Sequence, residues 1–281
     1  MVNKVNLLID FDVIKYILSS RGIEVAEGQE GGIYLPSFNI FKSMEAWKDI
    51  LGKAIDKLAY EGMEVGKIFY FYTTKETQRE DYFRTFLDSN YKLNRKDKDT
   101  TAFSSMFTSV IMDNLKRYFT REGDKLVPNI YGLEADDTIA LACEKMGIDS
   151  CVIMSTDKDF KFKYNTFNPM RMQYSKPQPE KLFELMLVGD KADNIAGIAG
   201  CGIKSFEKLQ TSTCCIEELQ ESVKQMYLDK KLDFDLTEFM LRPLGLNNFE
   251  WVELGKIFTV STPNIGVLVN VERKTMQHIE I

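Results

Sequence analysis

Short apolar segments that end on acidic residues are the feature that most constrains the fold. Residues 5–10, Val-Asn-Leu-Leu-Ile-Asp, are strand-like, as are residues 67–72, and residues 151–154 lead into Asp157 and Asp159. Between these segments the apolar spacing is helical, so strand and helix alternate. This alternation predicts an α/β fold with a mostly parallel sheet and helices on both faces.

The remaining elements follow from apolar periodicity and from turn residues. Helices are predicted over residues 39–61, 100–121, 180–188, 203–211, 216–229 and 233–241. Loops are predicted over residues 21–36 and 123–128, with a short strand over 129–131. Residues 165–179 contain three prolines and are interpreted as the exit from the sheet. The chain is therefore divided into an α/β domain, residues 1–178, and a helical domain, residues 179–281.

Composition excludes several kinds of chemistry. The only histidine in 281 residues is His278, which argues against histidine-based triads and histidine-rich zinc sites. Five cysteines without a CxxC spacing argue against a disulfide framework, and a reducing cytoplasm is expected. No apolar run approaches the ~20 residues that span a bilayer, so no membrane contact is expected.

Three carboxylates fall within four residues at Glu134, Asp136 and Asp137, just before a helical apolar pattern. Acids in a first helical turn commonly cap free N–H groups, and that explanation also fits Asp190 and Asp193. However, ligands of parallel sheets bind beyond the carboxyl ends of the strands. The acids that follow the strands are therefore expected to converge with these clusters on one site.

Crowded carboxylates cannot all ionise without a counter-charge, because like charges raise one another's pKa. Mg²⁺ prefers oxygen ligands, and two such ions can support phosphodiester cleavage without a histidine. The net charge of −6 does not exclude a nucleic-acid partner, because eight negative charges belong to acids of the clusters and strand ends named above. If bound cations neutralise those acids, the remaining residues are not net negative. The rest of the surface then keeps a small positive excess for phosphate.

Two further segments suit nucleic acid. Gly197, Gly200 and Gly202 precede Lys204 at a predicted helix start, where backbone N–H groups can approach a phosphate; a tight helix–helix turn is the alternative. The basic tract of residues 92–98, with Tyr91 beside it, could contact a phosphate backbone or stack on a base, although such a tract is more often a solvated face.

Together these motifs resemble the 5′ nuclease family, which includes flap endonucleases, the 5′-nuclease domain of bacterial DNA polymerase I and stand-alone bacteriophage ribonuclease H/5′-exonucleases. The bacteriophage type is the most similar in character. The matching segments occur in the family's order over residues 5–205: Leu-Leu-Ile-Asp10-Phe, Tyr91-Lys-Leu-Asn-Arg95, Glu134-Ala-Asp-Asp137, Ser155-Thr-Asp157-Lys-Asp159-Phe, Gly189-Asp-Lys-Ala-Asp193-Asn-Ile and Gly197-Ile-Ala-Gly-Cys-Gly202.

The resemblance implies a PIN-like nuclease domain with a helical arch over roughly residues 79–125, in which Phe103 and Phe107 either pack the arch or grip a threaded strand. It also implies a helix-three-turn-helix over roughly residues 184–210 for duplex DNA. The implied activity is divalent-metal-dependent 5′→3′ exonuclease and flap endonuclease cleavage, with ribonuclease H activity on hybrids, in replication or repair.

The resemblance also implies roles for residues. The first metal would be held by Asp10, Glu134, Asp136, Asp137 and Asp157, and the second held or oriented by Asp159, Asp190 and Asp193. Lys92 and Arg95 would steady the scissile phosphate, with Asp10 and Asp157 as the central catalytic acids. Nucleic acid would contact Tyr91, Lys92, Arg95, Gly197, Gly200, Gly202 and Lys204. The implied cofactors are two Mg²⁺, with Mn²⁺ as a substitute, and K⁺ at the helix-three-turn-helix.

The implied partners are DNA with a 5′ flap, nick or end, an RNA–DNA hybrid, and a single-strand-binding protein or polymerase. A monomer in the cytoplasm, the host's if phage-encoded, is expected. One departure is Thr73, where the family places an aspartate after the second strand; Glu76 or Asp81 are the alternatives to it. Asp12 exceeds the family pattern and is expected to have a surface or helix-capping role.

Two other functions compete. A phosphatase of the haloacid dehalogenase type would use Asp10 and Asp12 as nucleophile and acid, but leaves Glu134–Asp137 and the glycine turn unexplained. The second is a relative that binds nucleic acid but has lost turnover, because Thr73 is neutral where the family has an aspartate.

Overall fold

The computed structural model describes residues 3–25, 36–74, 84, 91–92, 102–130 and 133–242. Its strands are β1 (Asn3–Asp10), β2 (Ile23–Val25), β3 (Pro36–Phe38), β4 (Met63–Tyr72), β5 (Lys125–Pro128), β6 (Cys151–Met154), β7 (Thr166–Asn168), β8 (Gln173–Ser175), β9 (Gly189–Asp190) and β10 (Ile195–Ala196). Its helices are α1 (Phe11–Arg21), α2 (Ile40–Tyr60), α3 (Ala102–Asp113), α4 (Ala135–Met146), α5 (Glu180–Val188), α6 (Ile203–Ser212), α7 (Ile216–Asp229) and α8 (Phe234–Leu241).

A six-stranded sheet in the order β5-β4-β1-β6-β7-β8 forms the centre of the first domain. Strand β1 lies in the middle and pairs in parallel with both β4 and β6. Pairs β4–β5 and β6–β7 are also parallel, and only β8 at the edge runs antiparallel. The predicted mostly parallel sheet is therefore confirmed, and its acidic strand ends lie along one edge.

Helices cover both faces of this sheet, as the alternating side chains of β4 show. Tyr70 faces α1 and α2, where its ring contacts those of Phe11 and Trp47 at 5.9 Å between centroids. Its neighbours Phe69 and Phe71 face the opposite side and pack with α4. Because side chains of a strand alternate between faces, one apolar run builds two cores. No helix in the described ranges is long and apolar enough to cross a membrane.

Several short strands differ from the prediction. The strand predicted at residues 129–131 lies earlier, at Lys125–Pro128, because the turn closes at Gly123, whose φ is +90°. Residues 129 and 130 are not in a strand, and residue 131 lies outside the described part. The loop predicted over residues 21–36 contains β2, and β3 begins at its last residue; the two strands pair antiparallel. Strands β7 and β8 lie in the proline-containing segment 165–179 and extend the sheet. Elements of three or four residues carry too little periodicity to be predicted.

The last part of the predicted arch packs into the core. Helix α3 and the π-helical turn Leu115–Phe119 place Ile111 and Phe119 in the same apolar cluster as α1 and α2. Phe107 is buried and stacks on Phe38 with ring centroids 4.9 Å apart, so it packs and does not grip a strand. Residues 75–83, 85–90 and 93–101, and the side chain of Phe103, lie outside the described part.

Helices α5 to α8 enclose a second apolar cluster, which contains Met186, Phe206 and Val223. The Tyr227 hydroxyl donates a hydrogen bond to the Met186 carbonyl at 2.6 Å, which joins α7 to α5 within this cluster. The four predicted helices of this region are confirmed to within a residue or two. Residues 243–281 lie outside the described part, so the domain bounds remain a prediction.

Candidate metal centre

Asp10 and Asp157 are joined through Ser155 at the ends of two adjacent strands. Asp10 closes β1 and caps α1, accepting the Val13 N–H at 3.3 Å. The Ser155 hydroxyl, just after β6, donates to Asp10 at 2.7 Å and accepts the Asp157 N–H at 3.0 Å. The parallel pairing of β1 and β6 therefore brings both acids to one place, as the sequence predicted.

Glu134, Asp136 and Asp137 form a first acidic group at the start of α4. One carboxylate oxygen of each lies within 4.8 Å of the others. Asp137 also caps the helix, because it accepts the Glu134 N–H at 3.2 Å. Capping and clustering are thus not alternatives here, since the helix start itself gathers the acids.

Asp159, Asp190 and Asp193 form a second acidic group, again with carboxylate oxygens within 4.8 Å of one another. Asp159 follows β6, and its N–H donates to Asp157 at 3.0 Å. Asp190 ends β9 and Asp193 lies in the turn before β10, so both come from the helical region. The two groups and the strand-end acids contain all eight predicted metal ligands.

Lys92 connects the two acidic groups. Its side-chain ammonium lies 2.5 Å from a carboxylate oxygen of Glu134 and 4.0 Å from one of Asp193. Its backbone N–H donates a hydrogen bond to the backbone carbonyl of Asp193 at 2.9 Å. Tyr91 donates its hydroxyl to Glu134 at 2.8 Å and is only 3% exposed. The interpretation of Tyr91 as a base-stacking surface is therefore wrong for this conformation, because its ring is buried. Arg95 lies outside the described residues.

Arg84 is a buried cation that the sequence reasoning missed. Its guanidinium donates to both oxygens of Asp137, at 2.7 and 2.9 Å, and to Glu134 at 3.2 Å. Arg84 lies in a charge-dense segment of the sequence, and no spacing pattern distinguishes it from the other charged residues there. A second missed contact joins Lys158 to Asp190 at 2.8 Å, with the lysine half-exposed at the rim.

Burial and like charge raise the pKa of Asp10 to about 7. Burial is the largest cause, and the neighbouring carboxylate of Asp12 is the next. The hydrogen bond from Ser155 lowers the pKa but does not offset these, and Asp157 raises it further. The charged form of Asp10 therefore lacks a counter-charge among its described neighbours.

Asp136 and Glu134 shift in opposite directions although they are two residues apart. Burial, then Glu134 and Asp137, raise the pKa of Asp136 well above its usual range. Burial also acts to raise the pKa of Glu134, but Lys92 and Arg84 outweigh it and the pKa is lowered. The two protein cations thus neutralise one part of the first group and leave Asp136 short of positive charge.

Asp159 shows that this arrangement suits a bound cation. Its Oδ1 atom is buried without a hydrogen-bond partner, while burial, Asp157 and Asp193 raise its pKa well above the usual range. An orphaned buried carboxylate oxygen is costly unless a ligand satisfies it. The donors are all oxygens, which fits a hard divalent cation such as Mg²⁺ better than a thiophilic metal.

The neutral Thr73 at the end of β4 is paired with Asp12. The Thr73 N–H donates to Asp12 Oδ2 at 2.9 Å, and its hydroxyl makes a short hydrogen bond to the same oxygen. Lys15 forms an ion pair with the other Asp12 oxygen at 2.7 Å. Asp12 lies in the first turn of α1 with a partly exposed side chain, in agreement with the expected surface or helix-capping role, and its contact with Thr73 also ties α1 to the end of β4.

The glycine turn is built for two different reasons. A Cβ on Gly197 would lie 2.4 Å from the Gly189 nitrogen, so Gly197 is required by backbone packing inside the protein. Gly200, with φ at +84°, and Gly202 face open space at the start of α6. Lys204 is exposed beside them. Gly200, Gly202 and Lys204 are thus open to an external ligand, while the proposed contact of Gly197 with nucleic acid stays a prediction.

Several solved structures share this fold, and those described here hold metal ions, in one case together with DNA. The T5 5′-exonuclease with bound divalent zinc gives a TM-score of 0.58 at 14% identity, covering 93% of this chain and 95% of that chain. A T5 protein co-crystallised with metal ions gives 0.60 at 13% identity, covering 98% and 99%. The bacteriophage T5 flap endonuclease, in a pseudo-enzyme–product complex with DNA and metal ions, gives 0.58 at 13% identity, covering 92% and 94%.

No protein-family model matches the chain. At these identities the structural likeness establishes the fold, which extends over nearly the whole length of both chains. The resemblance to the 5′ nucleases is therefore confirmed as a shared fold: the chain has the architecture of the bacteriophage T5 5′ nucleases.

Proposed function

We propose that this protein is a Mg²⁺-dependent 5′ nuclease that hydrolyses phosphodiester bonds in branched or hybrid nucleic acid. The observation that carries the proposal is the meeting of two acidic groups at the carboxyl edge of a parallel sheet, with an orphaned oxygen on Asp159. The shared fold with nucleases that hold metal ions and DNA supports it.

The carboxylates divide between two metal positions. The first ion would be held by the strand-end acids and the first acidic group, namely Asp10, Asp157, Glu134, Asp136 and Asp137, and the second would be held or oriented by Asp159, Asp190 and Asp193. Bound divalent cations would activate a water and stabilise the charge that develops on the leaving oxygen. Mn²⁺ would substitute for Mg²⁺, because both take oxygen ligands.

Lys92 would steady the scissile phosphate. It is the cation that lies between the two acidic groups, and burial, which lowers its pKa, is outweighed by Glu134, Asp136 and Asp193, which raise it. Lys92 therefore stays charged at neutral pH. A fixed positive charge that is already in place costs no reorganisation when a phosphoryl oxygen becomes more negative. Arg95 is proposed to share this role.

The duplex would lie against the helical region at Gly200, Gly202 and Lys204, a helix-three-turn-helix surface at which K⁺ would also bind. Asp190 and Asp193 precede this surface in the chain and belong to the same helical region. The proposed substrates are DNA with a 5′ flap, nick or end and RNA–DNA hybrids in replication or repair. We further propose a cytoplasmic monomer that works beside a polymerase or single-strand-binding protein.

A phosphatase of the haloacid dehalogenase type is disfavoured by Asp12. That chemistry needs this carboxyl as a mobile acid above the nucleophile. In the structure Asp12 accepts hydrogen bonds from Thr73 and is ion-paired with Lys15. A binding protein without turnover is the remaining alternative, and a cleavage assay separates it.

The proposal is tested with Asp157→Ala on a 5′-flap DNA. We expect cleavage in Mg²⁺ to fall to the level seen in EDTA, while DNA affinity measured by fluorescence anisotropy persists. Asp149→Ala, a change at an exposed aspartate outside the acidic groups, serves as the matched control and should leave both unchanged. Retained turnover in Asp157→Ala would contradict the metal-site assignment.

A further inference from the structure

Arg84 makes a fork-shaped contact with Asp137 that uses the whole of that carboxylate. Its Nη1 lies 2.7 Å from Oδ2 and its Nη2 lies 2.9 Å from Oδ1, while the side chains of both residues are less than 5% exposed. Asp137 Oδ2 also accepts the Glu134 N–H. Bidentate guanidinium–carboxylate pairs are strong and geometrically fixed, so this one holds the first turn of α4 in place.

Asp136 is placed differently from its neighbour. Its Oδ1 accepts the Asp137 N–H at 2.9 Å, and the residue is half-buried at the surface of the acidic group. Arg84 reaches Asp137 and Glu134, while Lys92 reaches Glu134. Arg84 and Lys92, the two described cations of this group, are therefore hydrogen-bonded or ion-paired to two of its three carboxylates.

The same guanidinium reaches the helical region. Arg84 Nη2 donates to the carbonyl of Arg242 at 2.6 Å, just after α8, and its guanidinium carbon lies 6.0 Å from the centroid of the Phe239 ring. One buried side chain thus joins the acidic start of α4 to the end of the last described helix. A residue with contacts of this kind fixes the relative position of both.

We propose that Arg84 is a positioning residue whose counter-ion is Asp137, and that Asp136 alone among these two aspartates is a metal ligand. This inference rests on the proposed function and revises the ligand set that the family resemblance implied. It follows that Asp137 acts through Arg84, by orienting the turn that presents Asp136.

The test compares two isosteric substitutions, Asp136→Asn and Asp137→Asn, in the full-length protein. We expect Asp136→Asn to weaken Mn²⁺ binding, measured by calorimetry, by about tenfold or more, and Asp137→Asn by less than ~3-fold. Asp137→Asn should instead lower the urea midpoint of unfolding, because it leaves a buried guanidinium without its charge partner.

A double-mutant cycle with Arg84→Met measures the pairing itself. Each single change should lower the urea midpoint, and the combined change should lower it by clearly less than the sum, because the two buried charges are removed together. Arg84→Lys keeps the charge without the fork and should recover part of the loss.

The outcomes separate this inference from the proposed function. Mn²⁺ binding that is weakened equally by both substitutions, with an unchanged urea midpoint for Asp137→Asn, would make Asp137 a ligand and overturn the inference while the nuclease proposal stands. Additive losses in the cycle would also overturn it. A wild-type protein without saturable Mn²⁺ binding would contradict the proposed function and this inference together.

Discussion

At the scale of single residues, Asp10 shows what burial beside another carboxylate does. Its pKa of about 7 in the fold compares with 3.8 for an ordinary aspartate, chiefly through burial and Asp12. Between these two pH values the folded state holds a proton that the unfolded state has released. The metal-free protein therefore loses stability as the pH rises from about 4 to 7.

This shift predicts a pH-dependent effect of Asp10→Asn. The metal-free variant should become more stable than the wild type as the pH rises from 5 to 8, by on the order of 2 kcal/mol. Urea unfolding in EDTA at each pH measures the difference. Asp49→Asn, at an exposed site on α2, is the control and should show no such trend. A constant difference between Asp10→Asn and wild type would show that Asp10 is ionised throughout.

The sequence identified the acids better than their partners. Asp10 and Asp157 could be placed because each follows a buried strand, and parallel strands end at one edge. Asp12 could not be placed, because its partner Thr73 is 61 residues away and the contact depends on how α1 meets β4. Arg84 could not be found because charge-dense segments are common on solvated faces.

At the scale of elements, α1 contacts the end of β4 at the position where the family pattern has a carboxylate on the strand itself. Asp12 lies on the helix, and Thr73 holds it by two hydrogen bonds. The carboxylate is therefore supplied by the helix to the edge of a neighbouring strand. This arrangement explains how a neutral strand end can be compatible with a carboxylate-rich site.

The contact predicts strong coupling between Thr73→Asp and Asp12→Asn. Thr73→Asp alone should destabilise the protein by about 1–3 kcal/mol, because it replaces the hydroxyl that donates to Asp12 with a second negative charge beside that carboxylate. In the Asp12→Asn background the same change should cost much less. Urea midpoints of the four proteins measure this, and additive effects would show that the two side chains do not interact in solution.

Long elements were predictable and short ones were not. The helix expected over residues 39–61 is Ile40–Tyr60, because six apolar positions fix its periodicity. Strand β5 was displaced by a few residues, and β2, β3, β7 and β8 were not predicted. Their positions follow from pairing partners that are distant in sequence, so local pattern carries little information about them.

At the scale of the whole molecule, the carboxylates of the site are gathered at one edge of the sheet, whereas Lys204 is an exposed cation at the start of α6. The net charge of −6 conceals this, since the acids are gathered at the sheet edge. The helical region contributes Asp190 and Asp193 to the carboxylates of the site, and it also carries the exposed Lys204. The sequence could predict that Asp190 and Asp193 join the acids of the sheet only from the order of the family motifs along the chain. No local sequence pattern relates the helical region to the sheet.

The separation predicts distinct effects on binding and on chemistry. Lys204→Ala should weaken binding to duplex DNA and reduce the slope of log affinity against log salt by about 1. Cleavage within the bound complex should be nearly unchanged. Lys53→Ala, an exposed lysine on α2, is the control. An unaltered salt slope for Lys204→Ala would place the duplex elsewhere.

The central claim is that the carboxylate centre cleaves nucleic acid at a 5′ end with a divalent metal. The most direct measurement is incubation of a 5′-labelled flap DNA with the wild-type protein, with and without Mg²⁺, and resolution of the product lengths. We expect short labelled products that appear only with Mg²⁺, from cleavage near the flap junction or at the 5′ end. Intact substrate in Mg²⁺, with DNA binding retained, would contradict it and favour a protein that binds without turnover.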